Sequence, residues 1–188
     1  SCRCIEDLWY PRTIATLGGI FQDKTKRPPI RPEPTTADRV LWMCAITVGL
    51  AGLVYAAWSF PSLPAQIPTS LGANGQVRAT GPAWTIFMMP TLCLPIVGAM
   101  LLLQRWPWIS NTVVAITEEN AEIQYRLVNR LLSLVSIEVG VIFVLVTIDI
   151  VTTAQGRPAG LTPVVLVITA GSTLPFLGWY IWRSLQNA

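Results

Sequence analysis

Long apolar runs alternate with short polar segments along this chain. Four runs, at about residues 40–60, 82–103, 131–152 and 161–182, are each long enough to cross a hydrocarbon core of about 30 Å as a helix. A segment that crosses lipid must satisfy its own backbone hydrogen bonds, which favours helices. The pattern therefore predicts an all-α integral membrane domain over residues 40–188, with four transmembrane helices.

The polar segment before the first run, residues 1–39, is predicted to be a cytoplasmic arm. Ile14, Leu17 and Phe21 recur at the spacing of one helix face, which indicates a short amphipathic helix. The proline-rich stretch at 28–34 is typical of an extended linker. We expect the arm to dock on a partner subunit or on the membrane surface, and a mobile tail is the alternative. Its candidate docking residues are Trp9, Ile14, Leu17 and Phe21.

The segment between the first two runs, Phe60–Pro82, is rich in proline and glycine. Proline fixes φ and glycine permits positive φ, so an extended arm that runs into tight turns is predicted. No acid, histidine or thiol lies in this loop, so it suits binding or an interface better than catalysis. The candidate residues for that role are Pro61, Leu63, Pro64, Gln66, Ile67, Pro68, Ser70, Asn74, Gly75 and Arg78.

The third run contains two acids, Glu138 and Asp149, spaced close to three helical turns apart. Acids inside a membrane are costly and often functional, which suggests a proton or cation path. The alternative is that Glu138 hydrogen-bonds to a polar side chain of a neighbouring helix. No basic residue and no polar ladder accompanies the two acids, so this structural interpretation is favoured. Asp149 is expected to be hydrated near the outer end of its span.

Two further patterns concern the helices themselves. A helix that starts near Thr117 is expected to run directly into the third span, with Glu122 and Arg126 spaced for an ion pair. The first run carries small residues that let helices approach closely, either inside the protein or towards a partner. These small residues are Ala45, Gly49, Gly52 and Ala56.

Charge sets the expected orientation. Only 12% of residues are charged, about half the share of a soluble domain. Arginine and lysine gather before the first run, between the second and third runs and after the fourth. The positive-inside rule then places both termini in the cytoplasm and the Phe60–Pro82 loop outside a bacterial inner membrane. The net charge of +3 is modest, so nucleic-acid binding is not expected.

The chain contains no histidine, the commonest metal ligand and proton shuttle. It also shows no glycine-rich phosphate loop and no nucleophile elbow. Cys2 and Cys4 supply only half of a structural zinc site, so plain thiols are favoured. The sequence thus predicts no enzyme activity, no metal and no cofactor, and any lipid or pigment contacts would come through partners.

Two motifs carry a family resemblance. The first is Leu63-Pro64-x-x-Ile67-Pro68-Thr69 followed by Gly72-x-Asn-Gly75. The second is Thr117-Glu-Glu-Asn-Ala-x-x-x-Tyr125-Arg126, followed by Arg130 and Glu138. Together they resemble the bacterial integral-membrane domain of unknown function family 1648, which also forms the first part of SdpI-type immunity proteins. The resemblance implies a small multi-helix membrane protein with no established catalytic activity.

The chain departs from the family pattern at several places. Ser70 stands where the family usually has histidine, and no lysine lies near Gly81. The SdpI-type second half has no counterpart in this sequence, which argues against toxin immunity. The leading hypothesis is an accessory or structural subunit of a larger membrane complex, respiratory or photosynthetic in type. The alternatives are a receptor-like or immunity protein that binds a peptide or lipid at the outer loop, and an ion- or proton-coupled transporter that uses Glu138.

Overall fold

The computed structural model describes residues 22–71, 76–157 and 161–187 of the 188-residue chain. Over these ranges the chain is mostly helical. The α-helices are α1 (Thr36–Ser59), α2 (Met88–Leu103), α3 (Ala121–Ala154) and α4 (Leu161–Gln186). Short 3₁₀ helices cover Lys24–Lys26, Phe60–Ser62, Ala83–Phe87 and Pro107–Ile109. Two short strands, β1 (Gln66–Leu71) and β2 (Val77–Pro82), lie in the segment predicted to be a proline- and glycine-rich loop, and they are an addition to the helical fold predicted from the sequence.

Three helical stretches in the described ranges are long and apolar enough to cross a membrane: Thr36–Ser62, Ala83–Leu103 and Ala121–Ala154. They contain the first three predicted spans and support the predicted membrane-helical fold. The fourth predicted span falls within α4, a C-terminal helix of 26 residues.

The first helix begins with a reciprocal cap. The Thr35 hydroxyl accepts a hydrogen bond from the Asp38 N–H, and the Asp38 carboxylate accepts one from the Thr35 N–H. Such a capping box satisfies backbone donors that the start of a helix leaves open. The helix ends at Ser59, where a 3₁₀ turn that contains Pro61 takes over.

The third helix is the centre of the fold, because it packs against α1, α2, α4 and β1. It has 34 residues, about 51 Å of helix, and so exceeds the hydrocarbon core of about 30 Å by several turns. The helix begins at Ala121, just after a turn in which Thr117 and Asn120 exchange side-chain-to-backbone hydrogen bonds. The prediction of one helix running into the third span is confirmed. The predicted ion pair also forms, with Arg126 Nη2 lying 2.8 Å from Glu122 Oε1.

Small residues allow α1 to lie close to its neighbours. The predicted packing face of α1 is buried within the protein: Gly49 lies against Leu94 and Val97, and Gly52 lies against Pro90 and Val144. On α3, Gly140 lies against Val48 and Gly49 of α1. A Cβ atom on Gly140 would lie 2.9 Å from Val48 Cγ1 and 3.4 Å from the backbone nitrogen of Gly49. The face is therefore internal.

The segment between α1 and α2 folds back on itself as an antiparallel hairpin. Ile67 pairs with Gly81 and Pro68 pairs with Thr80, and the register shifts on either side of Ser70. Ile67 is 1% exposed and packs in a cluster with Ala56, Ile86, Ile150 and Val151 of the helical part. The extended arm predicted for this segment is therefore a strand of this hairpin, and the buried side chain of Ile67 holds it against the helices.

The ends of the helices lie at two opposite faces of the protein. The start of α1, the end of α2, the start of α3 and the end of α4 meet at one face, which we call the arm end. Ion-pair and hydrogen-bond contacts between Asp38 and Arg130, Trp42 and Gln104, and Gln124 and Ser184 join them there. The opposite face carries the hairpin and is called the hairpin end, where Gln155 donates a hydrogen bond to Ser62.

Candidate functional site

The described part of the N-terminal arm packs against its own chain at the arm end. The Gln22 amide donates to the Ile116 carbonyl at 2.7 Å and accepts from the Ile116 N–H at 2.8 Å. The buried Arg27 guanidinium donates to the carbonyl of Ser110 at 2.6 Å. Buried Tyr125 of α3 donates its hydroxyl to the Pro28 carbonyl at 3.0 Å. Residues 22–35 are therefore held on the loop that precedes α3 and on α3 itself.

Asp23 caps the short helix that follows it in the arm. Its carboxylate accepts hydrogen bonds from the N–H and the hydroxyl of Thr25. These bonds favour the charged carboxylate and hold the pKa of Asp23 below its ordinary value. The carboxylate is fully exposed, so this cap is a local feature of the arm.

An ion pair ties the start of α1 to α3. Arg130 Nε lies 2.9 Å from Asp38 Oδ1, and Asp38 Oδ2 accepts from the Thr35 hydroxyl at 2.7 Å. Asp38 is buried, while the Arg130 side chain is about a third exposed. One carboxylate thus both caps α1 and neutralises an arginine on the neighbouring helix.

A second polar connection runs from α1 through α2 to α3. The Trp42 indole donates to Gln104 Oε1 at 2.7 Å, and Gln104 Nε2 donates to the Ser133 hydroxyl at 3.0 Å. Asn129 Nδ2 donates to the backbone carbonyl of Gln104 at 3.4 Å. Because Gln104 is buried and both ends of its amide are satisfied, it fixes the end of α2 against its neighbours.

A cavity of about 390 Å³ opens between these contacts, a volume typical of small-molecule sites. Its inner wall is apolar and comes from the membrane-facing parts of α1 and α2, with Trp42, Ile46 and Leu101. Its rim is charged. The charged residues that line it are Arg31, Glu33, Asp38, Arg105 and Arg126.

The C-terminal helix is fixed near the same place. Gln124 Nε2 donates to the carbonyls of Ser184 and Asn187, and the Ser184 hydroxyl donates to Gln124 Oε1 at 2.6 Å. Gln124 is 0% exposed. A single buried glutamine therefore holds the end of α4 against the start of α3.

The two predicted membrane acids have different surroundings. Glu138 Oε1 accepts hydrogen bonds from the Ser172 and Thr173 hydroxyls of α4, each at 2.7 Å. This is the structural contact favoured from the sequence. Glu138 also lines an apolar cavity of about 200 Å³ between α3 and α4. Asp149 is 1% exposed, so the expectation that it is hydrated is wrong. The next two residues of α3, Ile150 and Val151, pack in the cluster that contains Ile67 of β1.

The predicted outer-loop residues are spread over both faces of the hairpin region. Ile67 and Pro68 are buried and belong to the core, and Leu63 is half-buried against it. The remaining described residues of that set are exposed, but they converge on no common pocket. They are Pro61, Pro64, Gln66, Ser70 and Arg78.

Several predicted residues lie outside the described residues. They are the loop residues Asn74 and Gly75 and the candidate docking residues Trp9, Ile14, Leu17 and Phe21.

The cavity at the arm end was not predicted from the sequence. From the sequence, Arg126 was expected to pair with Glu122 and Arg130 belonged to the second motif, but neither was assigned to a cavity. One signal was available: Thr35 and Asp38 have the spacing of a capping box directly before an apolar run. That spacing predicts a structured helix start, but it does not reveal that Arg130 is the partner.

Comparison with known proteins bears on the first motif. A family model described as a domain of unknown function, DUF1648, matches residues 47–94. The match covers the second half of α1, the hairpin and the first turns of α2, and it confirms the resemblance to this family predicted from the sequence. The second motif, from Thr117 to Glu138, lies outside the matched residues. No curated protein and no solved structure matches the chain. Residues 47–94 of the chain are therefore similar to the DUF1648 domain of unknown function.

Proposed function

We propose that this protein is a non-catalytic accessory subunit of a larger membrane protein complex. The proposal rests on the face of α1 that points away from α2 and α3. That face exposes Thr47, Leu50, Ala51, Val54 and Trp58, which recur at the spacing of one helix stripe. Thr47 and Ala51 are small and four residues apart, the spacing at which a second helix can approach closely in lipid. The occupant proposed for this stripe is a transmembrane helix of another subunit.

The proposed topology has four spans, with both termini in the cytoplasm of a bacterial inner membrane. The 26 residues of α4 correspond to about 39 Å of helix, enough for a fourth crossing. Arg27, Arg31, Arg105 and Arg130 all lie at the arm end, and this distribution supports a cytoplasmic location for that end. A reporter domain fused to either terminus of the full chain should lie in the cytoplasm and show activity there. Activity of either reporter outside the membrane would contradict this topology.

The subunit proposal is tested by placing a bulky side chain in the stripe. Ala51→Trp should abolish co-purification of partner subunits from mild detergent, while the protein still accumulates in the membrane. Ala99→Trp is the matched control, because Ala99 is also exposed but lies on α2, away from the stripe. If both variants retain the same partners, or if the unmodified protein purifies alone, the proposal fails. No cofactor of its own is needed for this role.

A receptor-like function at the outer hairpin is the second candidate. The hairpin is anchored by buried Ile67 and is tight at Gly81, where a Cβ atom would lie 2.8 Å from Thr69 Cγ2. This rigid support presents the exposed side chains of Gln66 and Arg78. Alanine replacement of Gln66, Asn74 and Arg78 should then abolish a protective or signalling phenotype without lowering the protein level. An unchanged phenotype would remove this candidate.

A further inference from the structure

The cavity at the arm end combines an apolar wall with a charged rim, near the ends of two helices of membrane-spanning length. Trp42 and Ile46 lie one to three turns inside α1, and Leu101 lies near the end of α2. Both helices are long and apolar enough to cross a membrane. The cavity therefore opens near the ends of these helices, and its inner wall continues along their apolar surfaces.

The charges around the cavity are unevenly compensated. The cavity lining contains three arginines and two acids: Arg31, Arg105, Arg126, Glu33 and Asp38. The carboxylate of Asp38 is already engaged by Arg130 at 2.9 Å. The guanidinium of Arg105 makes no side-chain hydrogen bond or ion pair to any residue in the described ranges, and that of Arg31 only stacks over the Trp108 ring at 5.9 Å. Two cations at the rim are thus available to an anion.

Two buried polar atoms at the cavity wall also lack a partner among the described residues. Arg126 Nε is a donor without an acceptor, although Arg126 Nη2 binds Glu122. Asn129 Oδ1 is an acceptor without a donor, whereas the Nδ2 group of the same side chain donates to the Gln104 carbonyl. Buried polar groups are normally satisfied, so unsatisfied ones at a cavity indicate a ligand with complementary groups. A ligand that satisfied both atoms would offer an acceptor to Arg126 Nε and a donor to Asn129 Oδ1.

We propose that this cavity binds the head group of an anionic phospholipid that carries a free hydroxyl, taken from the membrane itself. The phosphate lies between Arg31 and Arg105 and accepts from Arg126 Nε. A head-group hydroxyl donates to Asn129 Oδ1. The first part of an acyl chain covers Ile46 and Leu101, and the rest of the chain remains in the bilayer. Basic pockets between transmembrane helices are known to bind lipid head groups in this way.

The test measures lipid retained by the full chain in native mass spectrometry after purification in mild detergent. Phosphatidylglycerol should be retained as one molecule per chain in clear excess over phosphatidylcholine. Arg31→Gln with Arg105→Gln should weaken that retention by on the order of 20-fold, about fivefold for each arginine. Arg39→Gln is the matched control, because Arg39 is exposed at the start of α1 but does not line the cavity. It should change retention less than about twofold.

Two further variants separate a specific site from general attraction to negative lipid. Arg126→Lys keeps the charge but removes the Nε donor, and it should weaken phosphatidylglycerol retention about fivefold or more. Ile46→Trp fills the apolar wall without changing charge, and it should also displace the lipid. In lipid-free detergent each variant should keep the unfolding midpoint of the unmodified protein, so that a lost lipid reports on the site and not on the fold.

Three results would overturn the proposal. One is equal retention of phosphatidylglycerol and phosphatidylcholine. Another is a loss with Arg39→Gln as large as that with the double variant. The third is displacement of the lipid by inorganic phosphate alone, which would show a simple anion site that does not recognise the lipid.

Discussion

Replacement of Gly140 by alanine should weaken the contact between α3 and α1. The new Cβ atom would lie 2.9 Å from Val48 Cγ1, closer than carbon atoms normally approach, and 3.4 Å from the backbone nitrogen of Gly49. Val48 is β-branched and its χ1 is stiff in a helix, so it cannot simply rotate away. Alanine is a better helix former than glycine by about 1 kcal/mol, whereas overpacking a close contact costs about 1–3 kcal/mol. The net expectation is a loss of up to about 2 kcal/mol in the free energy of unfolding.

The assay is SDS-induced unfolding of the detergent-purified chain, followed by the fluorescence of its 8 tryptophans. Gly98→Ala is the matched control, since Gly98 is also helical and nothing lies within 4 Å of the Cβ position. It should be neutral or stabilising by up to about 1 kcal/mol. Val48→Ala should partly relieve Gly140→Ala, with a coupling energy of about 1 kcal/mol between the two sites. Equal effects of the two glycine variants, or strictly additive effects of Gly140→Ala and Val48→Ala, would refute the close packing of α1 and α3.

Three further predictions concern other contacts. Ile67→Ala should cost about 2–5 kcal/mol in SDS unfolding because Ile67 is 1% exposed, whereas Gln66→Ala on the exposed side should have little effect. Tyr125→Phe removes the hydrogen bond to Pro28 and should cost about 1 kcal/mol; trypsin should then cut the arm faster, and an unchanged rate would show that this bond does not hold the arm. Glu138→Gln can still accept from the Ser172 and Thr173 hydroxyls, so insertion and unfolding should stay close to those of the unmodified protein. Loss of an ion flux in that otherwise stable variant would instead favour a transporter.

The helical part could be predicted from the sequence because membrane-length apolar runs are a strong and local signal. The apolar runs predicted the positions of α1, α2 and α3. The i, i+4 spacing of Glu122 and Arg126 predicted the ion pair between these two residues. The hairpin was missed for a physical reason. Prolines weaken a strand pattern, and Pro68 sits within β1, where only the tertiary contact of Ile67 with the helices makes the pairing favourable.

The cavity could not be predicted because it depends on contacts between residues far apart in sequence. Asp38 and Arg130 are separated by 92 positions, and Trp42 and Gln104 by 62. Each of these residues has an ordinary local explanation, as a cap, a basic flank or an interfacial aromatic. Their convergence is a property of the helix packing, which hydrophobic periodicity does not specify. The hydrogen bonding of Glu138 was easier to predict, because an acid in an apolar run requires a nearby donor. Two hydroxyls of α4 are those donors.

The contacts of the arm also impose an order on biogenesis. Gln22 binds Ile116, 94 positions later, and Arg27 binds Ser110, 83 positions later. During synthesis, α1, the hairpin and α2 leave the ribosome before either partner exists. The arm must therefore wait undocked while the first two helices enter the membrane, and it can close only after the start of α3 has been made. Docking of the arm therefore follows the synthesis of α1, the hairpin, α2 and the segment that leads into α3.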